Sequence, residues 1–264
     1  MVKTKFVGTF NEVLESVKDF EIEIADMHRV HVIESLKDIK RTGKKIRFEK
    51  FNNPDIKVRS IYDHIHSLAK MAEIFLKEDV FICNEHDLAC HIVYHDLCEF
   101  LISDFPTHTD THEISSTPIQ NVKNVDKEIR ERYATKFLWL YGDSYQKECF
   151  EVLDNSDETA QIFEILDKID PIINIWRYMY NYKEYVSDNA ELFIKTLEDF
   201  FTYLRIKTIA EENRYPIISE IVAFLRNQEN AMIYAKEQKI DSDKISKKAY
   251  TIIKVLIEET KLFY

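Results

Sequence analysis

His95, Asp96, Glu99 and Asp104 put four groups able to bind a metal or move a proton into ten positions of the segment Tyr94–Asp104. Val93, Leu97, Phe100, Leu101 and Ile102 surround them. A carboxylate buried among such residues costs on the order of several kcal/mol unless it meets a metal, a cation or a proton. In helical register His95 and Glu99 stand four residues apart and share a face with Leu88 and Ile92, so the pair points toward a core. Asp96 lies about 100° further round and reaches the same point from the side. A lone His-Asp pair is a poor metal site, so further ligands must come from other elements.

The segment before it offers His64 and His66. His64 lies in line with Ile61, Leu68 and Met71, the apolar stripe; His66 lies in line with Lys70 and Glu73, the wet one. His64 is therefore the expected ligand and His66 a surface residue. Downstream, Asp167 sits in the apolar run from Ile162 to Ile173, with Asp170, just before Pro171, as its rival. His64, His95, Asp96 and Asp167 make a set of two imidazoles and two carboxylates. That mixture suits one divalent transition ion, Mn, Co, Fe or Zn, better than Ca or Mg, which prefer oxygen alone. Such an ion acidifies water, and Glu99 is placed to take the proton. Arg41, Lys44, Lys45, Arg47, Lys50, Lys57 and Arg59 form a basic run. Its default reading is a solvated loop; its functional reading is that one or two members grip a phosphate. His108 and His112, also four apart, suit a second metal or a leaving-group contact, but their setting is a polar loop. Trp139, Trp176, Tyr178 and Tyr180 read as core rather than as a stacking platform.

The elements that must carry these residues read as helices throughout. Three glycines and five prolines in 264 residues, with 45% hydrophobic content, predict long helices, short turns and one sizeable core. After a short arm over 1–10, helical spacing runs through 11–40, and Gly43 closes that region. A basic loop follows over 44–58. Ser60 and Asp63 make a capping-box pattern for the helix of His64, whose apolar stripe is Ile61, Ile65, Leu68, Ala69, Ala72 and Phe75. Asn84 caps a helix expected to run to about Leu101. A loop over 103–121 precedes helices at 122–141, 144–153, 157–182 (with a kink expected at Pro171), 189–210, 216–239 and 243–263. Net charge is −11, and an acidic surface argues against a nucleic-acid polymer as partner. Four cysteines with no Cys-x-x-Cys pair indicate neither a zinc ribbon nor a redox motif; reduced core residues of a cytoplasmic protein are expected. No run is long enough for a membrane span, and no leader-like stretch opens the sequence.

Asp63-His64, then His95-Asp96-Leu-Cys-Glu99, then Ser103-Asp104-Phe-Pro106-Thr107, then Glu158 and Asp167-Lys168 resemble the HD-domain metal-dependent phosphohydrolases, most closely their 5′-deoxynucleotidase branch. The order agrees, with 31 residues from His64 to His95 and 71 from Asp96 to Asp167. The resemblance covers about residues 25–185. It implies an all-α, HD-domain helical bundle over 1–185; the additional C-terminal helices over 186–264 have no counterpart in the family and are expected to pack on the same core. It implies a divalent metal on His64, His95, Asp96 and Asp167, with Asp96 and Glu99 in catalysis and Glu99 positioning or deprotonating water. Asp104 would meet the sugar, and Thr107, Arg41, Arg47 and Phe48 would complete the substrate contacts. The reaction implied is hydrolysis of a small nucleotide, a (deoxy)nucleoside 5′-monophosphate. A dNTP triphosphohydrolase, a cyclic or oligonucleotide phosphodiesterase and a non-catalytic nucleotide sensor are the alternatives. A homodimer through the apolar C-terminal helices is a further expectation. Two departures concern the substrate. Ser103 replaces the family's glycine, and the Arg followed closely by Trp is here Arg41-Thr-Gly and then Arg47-Phe48 in a longer loop.

Overall fold

A computed structural model describes residues 36–39, 57–102, 124–191, 194–195 and 214–258. The expected arm at 1–10, the helices over 11–35, most of the basic loop and the loop at 103–121 lie outside the described residues, as does most of the helix expected at 189–210. Among the described residues the chain is all-helical, with no strand, and no helix is long and apolar enough to cross a membrane. The chain divides into two units, Met1–Ile65 with Ala89–Asn155, and His66–Leu88 with Ser156–Tyr264.

Helix α1 (Ile61–Lys77) starts where the capping box places it. The Asp63 carboxylate accepts from the Ser60 backbone N–H at 2.7 Å and from the Ser60 hydroxyl at 2.8 Å. The Asp63 N–H in turn donates to Ser60 Oγ at 3.2 Å. Two donors at the helix start are thereby satisfied reciprocally. His64 is fully buried with Ile61, Leu68 and Met71, and His66 is exposed, as their faces predict. Ala69 is exposed, contrary to its expected place in the stripe. The buried arc centres on His64, Leu68 and Met71, and Ala69 lies past its edge, where a small side chain favours helix without burial.

The helix expected from Asn84 to Leu101 is two helices. Asn84 Oδ1 caps α2 (Glu85–Tyr94) through the His86 and Asp87 N–H groups, and a turn at 95–98 leads into the short α3 (Glu99–Ile102). Bonds to the third residue back replace the helical ladder: Leu97 N–H to Tyr94 O, Glu99 N–H to Asp96 O and Phe100 N–H to Leu97 O, at 3.0–3.2 Å. Among the described residues this first unit also holds α4 (Asn124–Tyr141) and α5 (Ser144–Val152). Asp143 caps α5 in a full capping box with Gln146. Helix α3 packs on α4, and α4 on α5. The turn before α1 is tied by the Ile61 N–H to the Ile39 carbonyl at 2.9 Å.

The second unit is built on α6 (Glu158–Asn181), capped by Asp157 and running as one helix through Pro171, close to the expected 157–182. Its buried face includes Ile162, Leu166, Ile169, Ile173, Trp176 and Tyr178. The short α7 (Lys183–Asp188) follows. The helix expected over 216–239 is α8 (Pro216–Arg226) and α9 (Gln228–Glu237). Asn227 breaks it because its side chain accepts from the Asn230 N–H at 3.0 Å, the local bond that competes with helix continuation. A 3-10 turn at Ser242–Lys244 precedes α10 (Lys247–Glu258), later than the expected start at 243. Helix α6 packs on α8, α9 and α10. Trp176 Nε1 donates to the Leu225 carbonyl at 3.1 Å, and Arg177 Nε to the Leu256 carbonyl at 2.7 Å.

Candidate metal centre

His64 comes from the first turn of α1, and His95 and Asp96 from the turn between α2 and α3. Their ligand atoms converge. His64 Nε2 lies 3.3 Å from His95 Nε2 and 3.6 Å from Asp96 Oδ2, and His95 Nε2 lies 3.2 Å from the same oxygen. The two rings meet edge to face at 72°. Ligand bonds of about 2.1 Å place neighbouring ligand atoms about 3.0 Å apart in an octahedron and about 3.4 Å apart in a tetrahedron. The triangle therefore has the size that one divalent ion requires, and its two nitrogens and one oxygen are the donor chemistry of a transition ion rather than of Ca or Mg.

The break in the helix is what aims His95. Its Nδ1 lies 3.0 Å from both the His91 and the Ile92 carbonyl oxygens. Carbonyls only accept, so Nδ1 carries the proton and Nε2 presents its lone pair to the centre. The continuous helical face expected to carry both His95 and Glu99 is absent: a turn at 95–98, not a helix, joins them. His95 and Asp96 remain 14% exposed at their side chains, enough to admit a small ligand, whereas His64 is sealed.

Glu99 opens α3 and is 1% exposed. The electrostatics of the neighbourhood are acidic. Burial first, then Glu131, Glu99 and Asp96, push the Cys98 thiol well above its ordinary range, while a hydrogen bond with Thr135 opposes them. Glu131, on α4, is an acid that sequence reasoning missed; its only signal is its place one turn before Thr135. Arg59 is the second omission of that kind. Read as part of a solvated basic run, it is 3% exposed, with Nη2 3.4 Å from His64 Nδ1. The signal was its position directly before the N-cap Ser60, which carries it into the core with the helix start.

Asp167 lies on α6 in the other unit, its carboxylate 2.5 Å from Lys168 Nζ. Asp170 is fully buried and accepts from Ser67 Oγ at 2.5 Å; Ser67 Oγ itself accepts from Arg177 Nη1. Trp176 and Tyr178 are core residues, as expected, but Trp139 is half-buried with Lys136 and Lys147 over its ring. Asp104, Thr107, His108, His112, Arg41, Arg47 and Phe48 lie outside the described residues.

No curated protein matches the chain. A family model described as HD domain matches residues 33–204, well over half of the 264. The matched stretch contains both histidines and the aspartate of the triangle, and the chain belongs to the HD-domain family, whose members are typically metal-dependent hydrolases.

Proposed function

We propose that the chain hydrolyses the phosphate ester of a (deoxy)nucleoside 5′-monophosphate, giving nucleoside and orthophosphate. The observation that carries the reading is the convergence of His64 Nε2, His95 Nε2 and Asp96 Oδ2 within 3.6 Å of one another. Asp167 keeps the role of fourth ligand assigned from the sequence. Asp167 is paired with Lys168, and its rival Asp170 is fully buried and bonded by Ser67. A divalent ion held by these residues would supply Lewis acidity at a phosphoryl oxygen and lower the pKa of water.

The chain's own groups supply the rest. Buried Glu99 takes the proton from the attacking water and holds that water in line. The His91 and Ile92 carbonyls keep His95 in one tautomer and one orientation. Arg59 places a fixed cation beside His64, opposing the summed charge of Asp96, Glu99 and Glu131 and favouring an anionic substrate. Asp104, Arg41, Arg47, Phe48 and Thr107 are proposed to select sugar, phosphate and base, which makes the segments around them the determinants of substrate choice.

Metal analysis followed by a nucleotide panel with Mn²⁺ or Co²⁺ tests this. Orthophosphate released from deoxynucleoside monophosphates is the expected product. Tripolyphosphate from dNTPs would assign the triphosphohydrolase reaction instead, and cleavage of cyclic or oligomeric nucleotides a phosphodiesterase. Metal-loaded protein that turns over none of them would leave a nucleotide sensor.

A further inference from the structure

The first unit holds a second group of reactive side chains, apart from the triangle. Cys90 on α2 and Cys149 on α5 are 2% and 0% exposed, and their sulfurs lie within 4.8 Å of each other. They form one buried cluster with Val152, against which Tyr94 packs. None of the four cysteines is in a disulfide. We propose that Cys90 and Cys149 are a peroxide-oxidised pair that closes into a disulfide joining α2 to α5. The inference stands apart from the proposed hydrolysis.

Two observations favour this pair over the other thiols. The first is distance: rotation about the Cα–Cβ bonds can bring sulfurs this close to the bonding length of about 2.05 Å. The second is access. The Tyr145 hydroxyl hydrogen-bonds with the Cys149 thiol, and Tyr145 is 57% exposed, so the buried sulfur adjoins a side chain that reaches solvent.

The step balances with a peroxide as oxidant. The Cys149 thiolate attacks one peroxide oxygen, the O–O bond breaks, and a sulfenic acid forms with release of water or an alcohol. The Cys90 thiol then attacks the sulfenic sulfur, the S–O bond breaks, and the oxygen leaves as water with the thiol proton. Two thiols are oxidised by two electrons and one peroxide is reduced. The bond is made one residue before His91, whose carbonyl orients His95, so the oxidised pair also tethers the strut of the metal triangle.

Peroxide treatment of the intact chain, alkylation after unfolding and peptide mapping test the proposal without any variant. The expected result is a loss of two hydrogens in mass, one Cys90–Cys149 cross-linked peptide, Cys83 and Cys98 alkylated, and full reversal by dithiothreitol. Four alkylated thiols after treatment would overturn it. So would a cross-link using Cys83 or Cys98, or conversion of Cys149 to sulfinic acid in place of the bridge.

Discussion

Helix α1 carries two buried polar positions one turn apart, and they end differently. Ser67 enters a closed cluster: it donates to Asp170, accepts from Arg177, and Arg177 donates to the Leu256 carbonyl. Anion, hydroxyl and cation answer one another, and the cluster ties α1, α6 and α10 within one unit. His64 enters an open one. Two ring nitrogens and a carboxylate oxygen face a common point, and the His95 proton is already committed to backbone carbonyls on the far side of its ring. Buried charge answered by opposite charge holds a fold together; buried lone pairs aimed at each other are a place for a cation. The difference separates Asp170 from Asp96 on chemistry rather than on burial.

Paired substitutions test that separation most directly. Asp96→Ala should remove metal binding and activity together while changing the stability of metal-free protein by no more than about 1 kcal/mol. Asp170→Ala should do the reverse, costing about 1–3 kcal/mol in urea unfolding because the buried Ser67 hydroxyl loses its acceptor, with metal content per folded molecule retained. Metal analysis and denaturation of both proteins check it, and equal loss of metal from both would erase the distinction. Glu99→Gln sharpens the open cluster further. It should keep the metal and lose about 10²–10⁴-fold in rate, the usual share of a general base, read as kcat at saturating metal; an unchanged rate would remove Glu99 from proton transfer. Ser60→Ala is the smallest change. Loss of the cap should cost about 1 kcal/mol in thermal or denaturant unfolding and weaken metal binding through fraying of the turn that carries His64.

Local signals were legible where a few neighbouring residues decide the outcome. The capping box at Ser60 and Asp63, the cap at Asn84, and the burial of His64 against the exposure of His66 all follow from spacing and hydrogen-bonding chemistry. Asn227 shows the limit of that reading. Its capping chemistry is visible in the sequence, yet the apolar period passes through it, and the period alone predicts one helix where there are two. The turn at 95–98 was missed for a related reason. Helical register accounts for His95 and Glu99, but the side chain of His95 takes the carbonyls of His91 and Ile92, and that competition is invisible to a count of apolar positions.

By itself the sequence determined the all-helical class, the start of α1, and the residue types from which a transition-metal centre can be made. Only the tertiary structure decided that His64 and His95, 31 residues apart, bring their Nε2 atoms to 3.3 Å, that Arg59 is buried at His64 instead of solvated, and that Glu131 joins the acidic surroundings of Cys98. Caps and faces are set by residues within a turn or two, so they can be read along the chain. Convergence of lone pairs depends on how helices pack, and on where one of them gives way so that a histidine can turn.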